Sequence, residues 1–184
     1  MFKRFDVNPF SNIRVLYLDD NALEVLSTPS VLKFLETISL RRQKSNISGI
    51  NFGAFAEAGK IYLSGNKLPN FQLPVAFYSL KYLELAGTQR NALPSDIAIK
   101  APNLRVLNLC NNSLLEIESI QGLRNLERLY LVNNKLEKLR DLGNTLATLT
   151  RLKVLDIRYV PKSLSLLILK GETPAHFHSM RRSD

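Results

Sequence analysis

Aliphatic residues recur along this chain in the order apolar-x-x-apolar-x-apolar-x-x-polar, and the pattern restarts every 22 to 26 residues. Successive side chains of a strand point to opposite sides. Each copy therefore predicts a short strand whose fourth and sixth positions face a core, while the third, fifth and seventh positions face away from it. Seven copies are present, and they begin at Ile13, Leu35, Ala58, Leu80, Leu104, Leu126 and Leu152.

A repeat of this length and consensus is the signature of leucine-rich repeats. A single unit cannot bury its own apolar side, so the units must stack on one another. The sequence thus predicts an α/β solenoid of about seven leucine-rich repeats, right-handed and curved. Parallel strands should line the concave face, and short 3₁₀ or α returns should form the convex face.

The return segments differ from copy to copy. Apolar residues between Leu104 and Leu126 follow a step of three, which favours a tight 3₁₀ return. The sixth copy is four residues longer than the 22-residue repeat, and this predicts an added turn of α-helix. The pattern loosens into predicted loops at residues 46–55 and 68–77, and Pro69 and Pro74 exclude a helix from the second of these.

A polar residue closes most copies at the point where the chain leaves the strand. A short amide side chain there can satisfy backbone groups that the bend leaves unpaired. We expect stacked asparagines to form a ladder through the solenoid, with Gln43 and Thr88 as imperfect substitutes and Val160 unable to take part. The predicted ladder residues are Asn21, Asn66, Asn112 and Asn134.

Two regions flank the repeats. Residues 1–12 contain Phe5, Val7 and Phe10, which look like the end of an earlier repeat, so this region is predicted to be such a remnant or an N-terminal edge. An uncapped repeat exposes an apolar edge, and we therefore expect the chain to be part of a longer protein. The predicted domain spans residues 13–170, and residues 171–184 are predicted to form a flexible tail.

The outward strand positions predict a protein-binding surface, because four of the six tyrosines occupy them. Tyrosine and arginine are the residue types that interfaces concentrate. The alternative is that aromatic residues simply favour strands. The predicted partner-binding residues are Tyr17, Asp19, Arg41, Lys60, Tyr62, Tyr82, Glu84, Asn108, Arg128, Tyr130, Asp156 and Arg158.

Composition restricts the remaining function classes. No apolar run is long enough to span a bilayer, no secretory signal is evident, and Cys110 is the single cysteine, which together indicate an intracellular chain with no membrane partner. The net charge of +9 leaves a nucleic-acid-binding module as an alternative, although the basic residues are scattered. His176 and His178 lack further metal donors, and Cys110 lacks a neighbouring base. We predict no catalytic, cofactor or metal site.

Several runs resemble one family in their order along the chain: residues 15–21, 39–43, 61–66, 101–109, 130–140 and 155–158. They are similar to the C-terminal leucine-rich-repeat domain of the fungal spindle-pole-body scaffold of the septation-initiation and mitotic-exit networks, with vertebrate centriolin more distantly related. The chain departs from that family at Val160, where the family has asparagine.

This resemblance implies a non-catalytic scaffold that takes part in cell division and lies in the cytoplasm at the spindle pole body. The implied partners are a coiled-coil anchor protein of the spindle pole, a small-GTPase regulator, and a kinase with its activator. Other intracellular adaptors share the same short-repeat class, so a protein phosphatase 1 regulator or a ribonucleoprotein subunit remains an alternative.

Overall fold

Parallel strands, one from each copy of the repeat, form the backbone of the fold in the computed structural model, which describes residues 1–47 and 49–159. Seven of them form one sheet in the order β2-β4-β5-β6-β7-β8-β9, while β1 and β3 pair separately. This arrangement confirms the predicted leucine-rich-repeat solenoid. The strands are β1 (Arg4–Asp6), β2 (Val15–Tyr17), β3 (Val25–Ser27), β4 (Thr37–Ser39), β5 (Lys60–Tyr62), β6 (Tyr82–Glu84), β7 (Val106–Asn108), β8 (Arg128–Tyr130) and β9 (Val154–Asp156).

The sheet keeps equivalent residues of successive copies in register. Ile38 of β4 pairs with Ile61 of β5, which pairs with Leu83 of β6. These central side chains are almost wholly buried. Burying an aliphatic side chain of this size contributes roughly 2 kcal/mol, and the stacked row forms the core that no single copy could build.

Asn66, Asn112 and Asn134 bond to the backbone of two repeats at once, whereas Asn21 donates within its own copy and accepts the amide of Phe2. Asn112 Nδ2 donates to the carbonyl of Leu85 at 2.8 Å and to that of Leu109 at 2.9 Å. Its Oδ1 accepts the amides of Thr88 at 3.0 Å and Arg90 at 3.1 Å. A buried backbone group without a partner costs about 1 to 3 kcal/mol, so these bonds stabilise the turns and join adjacent copies.

Gln43 and Thr88 occupy the same position and also bond to the backbone. Gln43 Nε2 donates to the carbonyl of Leu18 in the preceding copy at 2.6 Å, and its Oε1 accepts the amide of Leu23 at 3.1 Å. Thr88 Oγ1 donates to the carbonyl of Leu85 at 2.8 Å. The longer glutamine thus still links two copies, whereas Val160 lies outside the described residues.

The residue before each of these positions has a left-handed backbone, a feature that the sequence analysis missed. L-residues seldom adopt this conformation, and glycine adopts it most readily. A Cβ at Gly65 would also lie 2.8 Å from Arg42 Cγ. The series, with its φ angles, is Asp20 (58°), Arg42 (50°), Gly65 (75°), Gly87 (62°), Asn111 (57°), Asn133 (56°) and Tyr159 (57°).

The returns match the spacing argument in part. A 3₁₀ helix spans Glu118–Ile120 and the α-helix α2 spans Leu139–Ala147, as the fifth and sixth copies predict, although α2 is longer than one added turn. Residues 68–77 form no helix. The loop predicted at residues 46–55 is wrong at its end, because a 3₁₀ helix spans Phe52–Phe55 and buries both terminal phenylalanines. The short helix α1 (Ile97–Lys100) was not predicted.

The first twelve residues pack beside the first copy without joining the main sheet. Strand β1 pairs with β3 in the return of that copy, and Val7 is fully buried. The rings of Phe5 and Phe10 stack with centroids 6.3 Å apart, and Phe10 stays half-exposed. The apolar edge is therefore covered in part. The domain limits stay a prediction, since the end of the region 13–170 and the tail 171–184 lie outside the described residues.

A buried arginine holds the loop at residues 68–77. Arg90 is 2% exposed and forms no ion pair within the described part of the chain. Its guanidinium donates to the carbonyls of Leu68 at 3.1 Å, Phe71 at 3.0 Å and Ala92 at 3.1 Å. Burial lowers the pKa of Arg90 to about 10, so the side chain keeps its charge at neutral pH. The bonds to Leu68 and Phe71 thus pair carbonyls in a loop from which Pro69 and Pro74 exclude a helix.

Replacing Asn134 with leucine should lower the free energy of unfolding by about 1 to 3 kcal/mol, because it leaves buried backbone groups unpaired. These groups are the amide of Leu114 and the carbonyl of Leu131, while the carbonyl of Leu109 keeps the bond from Asn112. Urea denaturation measures the change. The matched control is Lys135→Leu on the neighbouring exposed residue, and an equal effect of the two substitutions would contradict the role assigned to Asn134.

Replacing Arg90 with methionine should loosen the segment 68–77 at a cost of about 2 kcal/mol. The carbonyls of Phe71 and Ala92 lose their donor, and that of Leu68 keeps only the 3.3 Å bond from the Phe71 amide. Amide hydrogen exchange should speed up at Leu68 and Phe71 more than in the strands. Arg124→Met, which removes an exposed arginine, should leave this exchange unchanged. Unaltered protection of Phe71 in the Arg90 variant would show that the loop is held by other contacts.

Candidate interaction surface

One face of the seven-stranded sheet carries the side chains that point away from the core. We call it the open face, and it consists of the third, fifth and seventh positions of each copy. The sequence analysis expected it to be concave. Tyr17 is 65% exposed on this face, and Lys60 and Arg128 are exposed as well.

The register of the strands arranges the open face in rows. Lys60, Tyr82, Val106 and Arg128 are consecutive partners in one row. Adjacent strands lie roughly 4.8 Å apart. Residues that are tens of positions apart in the sequence thus become neighbours. The next row runs through Tyr62, Glu84, Asn108 and Tyr130.

Arg41 and Glu84 form a two-point ion pair across the open face. Arg41 Nε donates to Glu84 Oε1 at 2.7 Å, and Nη2 donates to Oε2 at 2.7 Å. Such a two-point pairing of guanidinium and carboxylate fixes orientation as well as distance. The two residues belong to copies two and four, so the arginine side chain must cross the intervening strand β5.

Two tyrosines enclose this ion pair. The guanidinium carbon of Arg41 lies 4.3 Å from the ring centroid of Tyr62, a cation–π contact. The rings of Tyr62 and Tyr82 lie 4.8 Å apart, and the Tyr82 hydroxyl donates to Glu84 Oε2 at 3.3 Å. Four side chains from three copies therefore hold one another in a single arrangement. We call them the Arg41 cluster: Arg41, Tyr62, Tyr82 and Glu84.

Asp19 supports the cluster from the first copy. Its Oδ1 accepts the hydroxyl of Ser39 at 2.6 Å and the amide of Arg41 at 2.8 Å. Its second carboxylate oxygen lies 4.0 Å from Arg41 Nη1. Arg41 is thus oriented through its backbone as well as through its guanidinium.

The last described copy carries a second ion pair. Arg158 donates to the carboxylate of Asp156 through Nε at 2.9 Å and through Nη2 at 2.7 Å. This hydrogen bond lowers the pKa of Asp156. Both charges are therefore neutralised within one copy.

Burial and nearby charges shift the pKa values of Tyr82 and Glu84 in the Arg41 cluster. Burial raises the pKa of Tyr82 to about 12, and the nearby Glu84 carboxylate adds to the rise. Burial alone would raise the pKa of Glu84, but hydrogen bonds from Arg41 and Ser64 and the charge of Arg41 lower it below its ordinary value. Glu84 is therefore a carboxylate and Tyr82 a neutral phenol at physiological pH.

Only some of the predicted binding residues contact one another in the structure. Arg41, Tyr62, Tyr82 and Glu84 meet in one cluster, and Asp19 lies against it. Glu84 is only 7% exposed, so it holds its neighbours in place and offers a partner little surface. Sequence reasoning missed Ser39, a buried residue of this face that bonds to Asp19. A polar residue at an outward position was the available signal.

The single cysteine and the metal-binding residue types form no site within the described residues. Burial raises the pKa of the Cys110 thiol, which disfavours the reactive thiolate. Among residues 1–47 and 49–159 no group of three or more histidine, cysteine, aspartate or glutamate side chains could hold a metal ion. Within the same ranges, every helix falls short of the length and apolar character that a bilayer-spanning segment needs.

Comparison with known proteins identifies the repeat. A family profile described as leucine rich repeat matches residues 78–136. The chain is 36% identical over 163 residues to the septation initiation network scaffold protein cdc11 of Schizosaccharomyces pombe, a match that covers 89% of this chain and 16% of that protein. The resemblance inferred from the order of the repeats is thereby confirmed.

More distant relatives share the repeat pattern. Keratocan of Gallus gallus is 28% identical over 138 residues, which cover 70% of this chain and 39% of keratocan. Osteomodulin of Mus musculus is 28% identical over 137 residues, which cover 70% of this chain and 32% of osteomodulin. The chain thus spans less than two-fifths of the length of each of these three relatives.

Replacing Glu84 with glutamine should make the protein less sensitive to acid. The folded pKa of Glu84 lies below its ordinary value of 4.5. Its carboxylate therefore stabilises the fold above that value, and this contribution is lost as the pH falls through the folded pKa. Urea denaturation from about pH 6 to about pH 3 should show a smaller loss of stability in the variant than in the parent.

The variant should also be less stable than the parent at neutral pH, because Arg41 loses its two-point carboxylate partner and keeps only the 4.0 Å contact with Asp19. Glu57→Gln alters an exposed glutamate and serves as the control. If Glu84→Gln loses as much stability on acidification as the parent does, the pairing of Arg41 with Glu84 does not contribute to the fold.

Proposed function

Since this chain belongs to the leucine-rich-repeat family, we propose that it is a protein-interaction domain of a septation-initiation scaffold and that its open face binds the partner. The proposal has two parts. The first concerns the surface and depends on the geometry of the Arg41 cluster. The second concerns the biological setting and depends on the similarity to cdc11.

The observation that carries the first part is a polar and aromatic cluster held in one arrangement on the outer side of the sheet. The aliphatic core lies on the other side. A surface that is ordered before it binds avoids the entropic cost of ordering side chains at an interface. Tyrosine and arginine are also the residues on which binding energy concentrates. The cluster therefore suits a stable contact with another protein.

Similarity to a scaffold protein supports the second part, because the match covers most of this chain. It covers 16% of cdc11, so the activities of the whole protein are proposals for this chain. We place the chain in the cytoplasm, at the spindle pole body. Its proposed partners are a coiled-coil anchor protein, a small-GTPase regulator, and a kinase with its activator. We propose no catalytic role.

Nucleic acid is the weaker candidate for the open face. Phosphate contacts require several cations that are free to neutralise the backbone, whereas Arg41 and Arg158 are already paired with carboxylates. Lys60 and Arg128 are the two open-face cations without an ion pair in the described strands. Salt dependence separates the two partners. Nucleic-acid affinity falls with a log-log slope of about one unit per phosphate contact, while a tyrosine-lined protein contact responds weakly.

A variant that lacks Tyr17 and Tyr130 should keep its fold and lose its partner. Tyr17 is largely exposed, and within the described residues neither ring has a hydrogen bond or ring contact. Loss of an interface anchor costs about 2 kcal/mol or more. We expect Tyr17→Ala/Tyr130→Ala to melt near the parent temperature. When the same substitutions are introduced into the scaffold in cells, the amount of partner protein that co-purifies with it should fall.

The matched control removes two exposed aromatic rings outside the sheet. Tyr78 and Phe34 are 69% and 52% exposed and lie in return segments. Tyr78→Ala/Phe34→Ala should retain the partners and the localisation to the spindle pole. Full retention by the Tyr17/Tyr130 variant, or an equal loss in the control, would show that partners bind elsewhere.

A further inference from the structure

We propose that the open face binds an extended acidic segment of a partner protein in which two carboxylates four residues apart contact Lys60 and Arg128, with an apolar residue midway between them. This inference rests on the proposed function, and it specifies the chemistry of the bound segment. Three observations carry it: the charges that remain unpaired, their spacing, and the residues between them.

The first observation is that internal pairing leaves only cations available on the described part of the open face. Asp19, Glu84 and Asp156 each accept hydrogen bonds from neighbouring residues. Arg41 and Arg158 are used in the same pairs. Lys60 and Arg128 are exposed and form no ion pair within residues 1–47 and 49–159. A complementary partner must therefore bring negative charge.

The second observation is the spacing of the two cations. Lys60 and Arg128 occupy the same row, separated by three strand-to-strand steps. At roughly 4.8 Å a step, their Cα atoms are about 14 Å apart. An extended chain covers about 13 Å in four residues, and residues four apart lie on the same side. Helical residues that share a face are seven or eleven apart, about 10.5 or 16.5 Å, which fits less well.

The third observation concerns the two residues between the cations. Tyr82 and Val106 lie in the row between Lys60 and Arg128, and both are half-buried. The residue midway between the two carboxylates of an extended segment faces the same side and meets this pair. An apolar side chain suits that position because it would remove apolar surface from water. The expected pattern is acidic-x-apolar-x-acidic.

The Arg41 cluster holds the ring of Tyr82 in one position at this site. Tyr82 belongs both to the cluster and to the row of cations. Its ring is held by Tyr62 and its hydroxyl by Glu84. The platform under the middle residue is therefore ordered before binding, and Arg41 supports it without contributing free charge.

Labelled synthetic peptides test the pattern directly. The probe contains Glu-Ser-Leu-Ser-Glu between flexible Gly-Ser flanks. Comparison peptides replace both glutamates with lysine, place them two or seven residues apart, or replace leucine with serine. Fluorescence anisotropy and amide NMR shifts report binding. We expect the four-residue spacing to bind about tenfold more tightly than each comparison peptide, with shifts centred on Tyr82 and Val106.

Charge reversal provides the second arm. Lys60→Glu/Arg128→Glu should abolish binding of the acidic probe and favour the lysine peptide. Lys67→Glu/Lys135→Glu makes the same change in net charge at two exposed lysines outside the sheet strands, and it should bind as the parent does. Both variants should fold, because only exposed side chains are replaced. Circular dichroism checks this.

The inference is overturned if the parent binds none of the peptides, if affinity does not depend on the spacing, or if charge reversal at Lys60 and Arg128 has no effect. None of these results by itself contradicts the proposed function, which is tested by the Tyr17/Tyr130 variant. If the Tyr17/Tyr130 variant loses its partners while the peptides show no preference, the open face binds protein by other chemistry. If that variant keeps its partners, the proposed function itself fails.

Discussion

Hydrogen bonds from the side chains that close copies two, three, five and six to the backbone of two adjacent copies are the constraint on which this structure depends. Asn66, Asn112 and Asn134 each donate to carbonyls of their own copy and of the preceding one. The apolar core could be filled in several registers, since its residues are nearly all aliphatic. The amide bonds favour the observed register, because a shift would separate each amide from the carbonyls that it binds.

That register determines what the open face can do. Arg41 and Glu84 are 43 residues apart in sequence, yet their side chains meet because copies two and four are separated by a single strand. A slip of one residue in any strand would turn its outward side chains toward the core. The positions of the Arg41 cluster and of the row from Lys60 to Arg128 are thus consequences of the ladder. The buried amide side chains at the turns therefore determine which outward side chains lie next to one another.

Sequence spacing predicted the repeat, its seven strands and the direction of most side chains, because these follow from a period of 22 to 26 residues and from strand alternation. It could not predict which carboxylate pairs with Arg41. Asp19 and Glu84 are both within reach, and the choice depends on the path of one long side chain over Tyr62. The role of Arg90 was hidden for a similar reason, since a charged residue after Thr88 reads as surface until the loop beside it is placed.

The separation of core and open face explains how such a chain can change partners without losing its fold. Outward residues lie on the side of the sheet opposite the aliphatic core, so a substitution at an exposed position such as Tyr17 removes no core side chain. The Arg41 cluster is the exception, because Glu84 is buried and Tyr82 is held by it. Copies two to four therefore hold a fixed group of side chains on the face, with Lys60 exposed within this region and Arg128 exposed two copies beyond it. A fixed aromatic ring between two exposed cations suits a partner whose middle residue is recognised by shape and whose outer residues are recognised by charge.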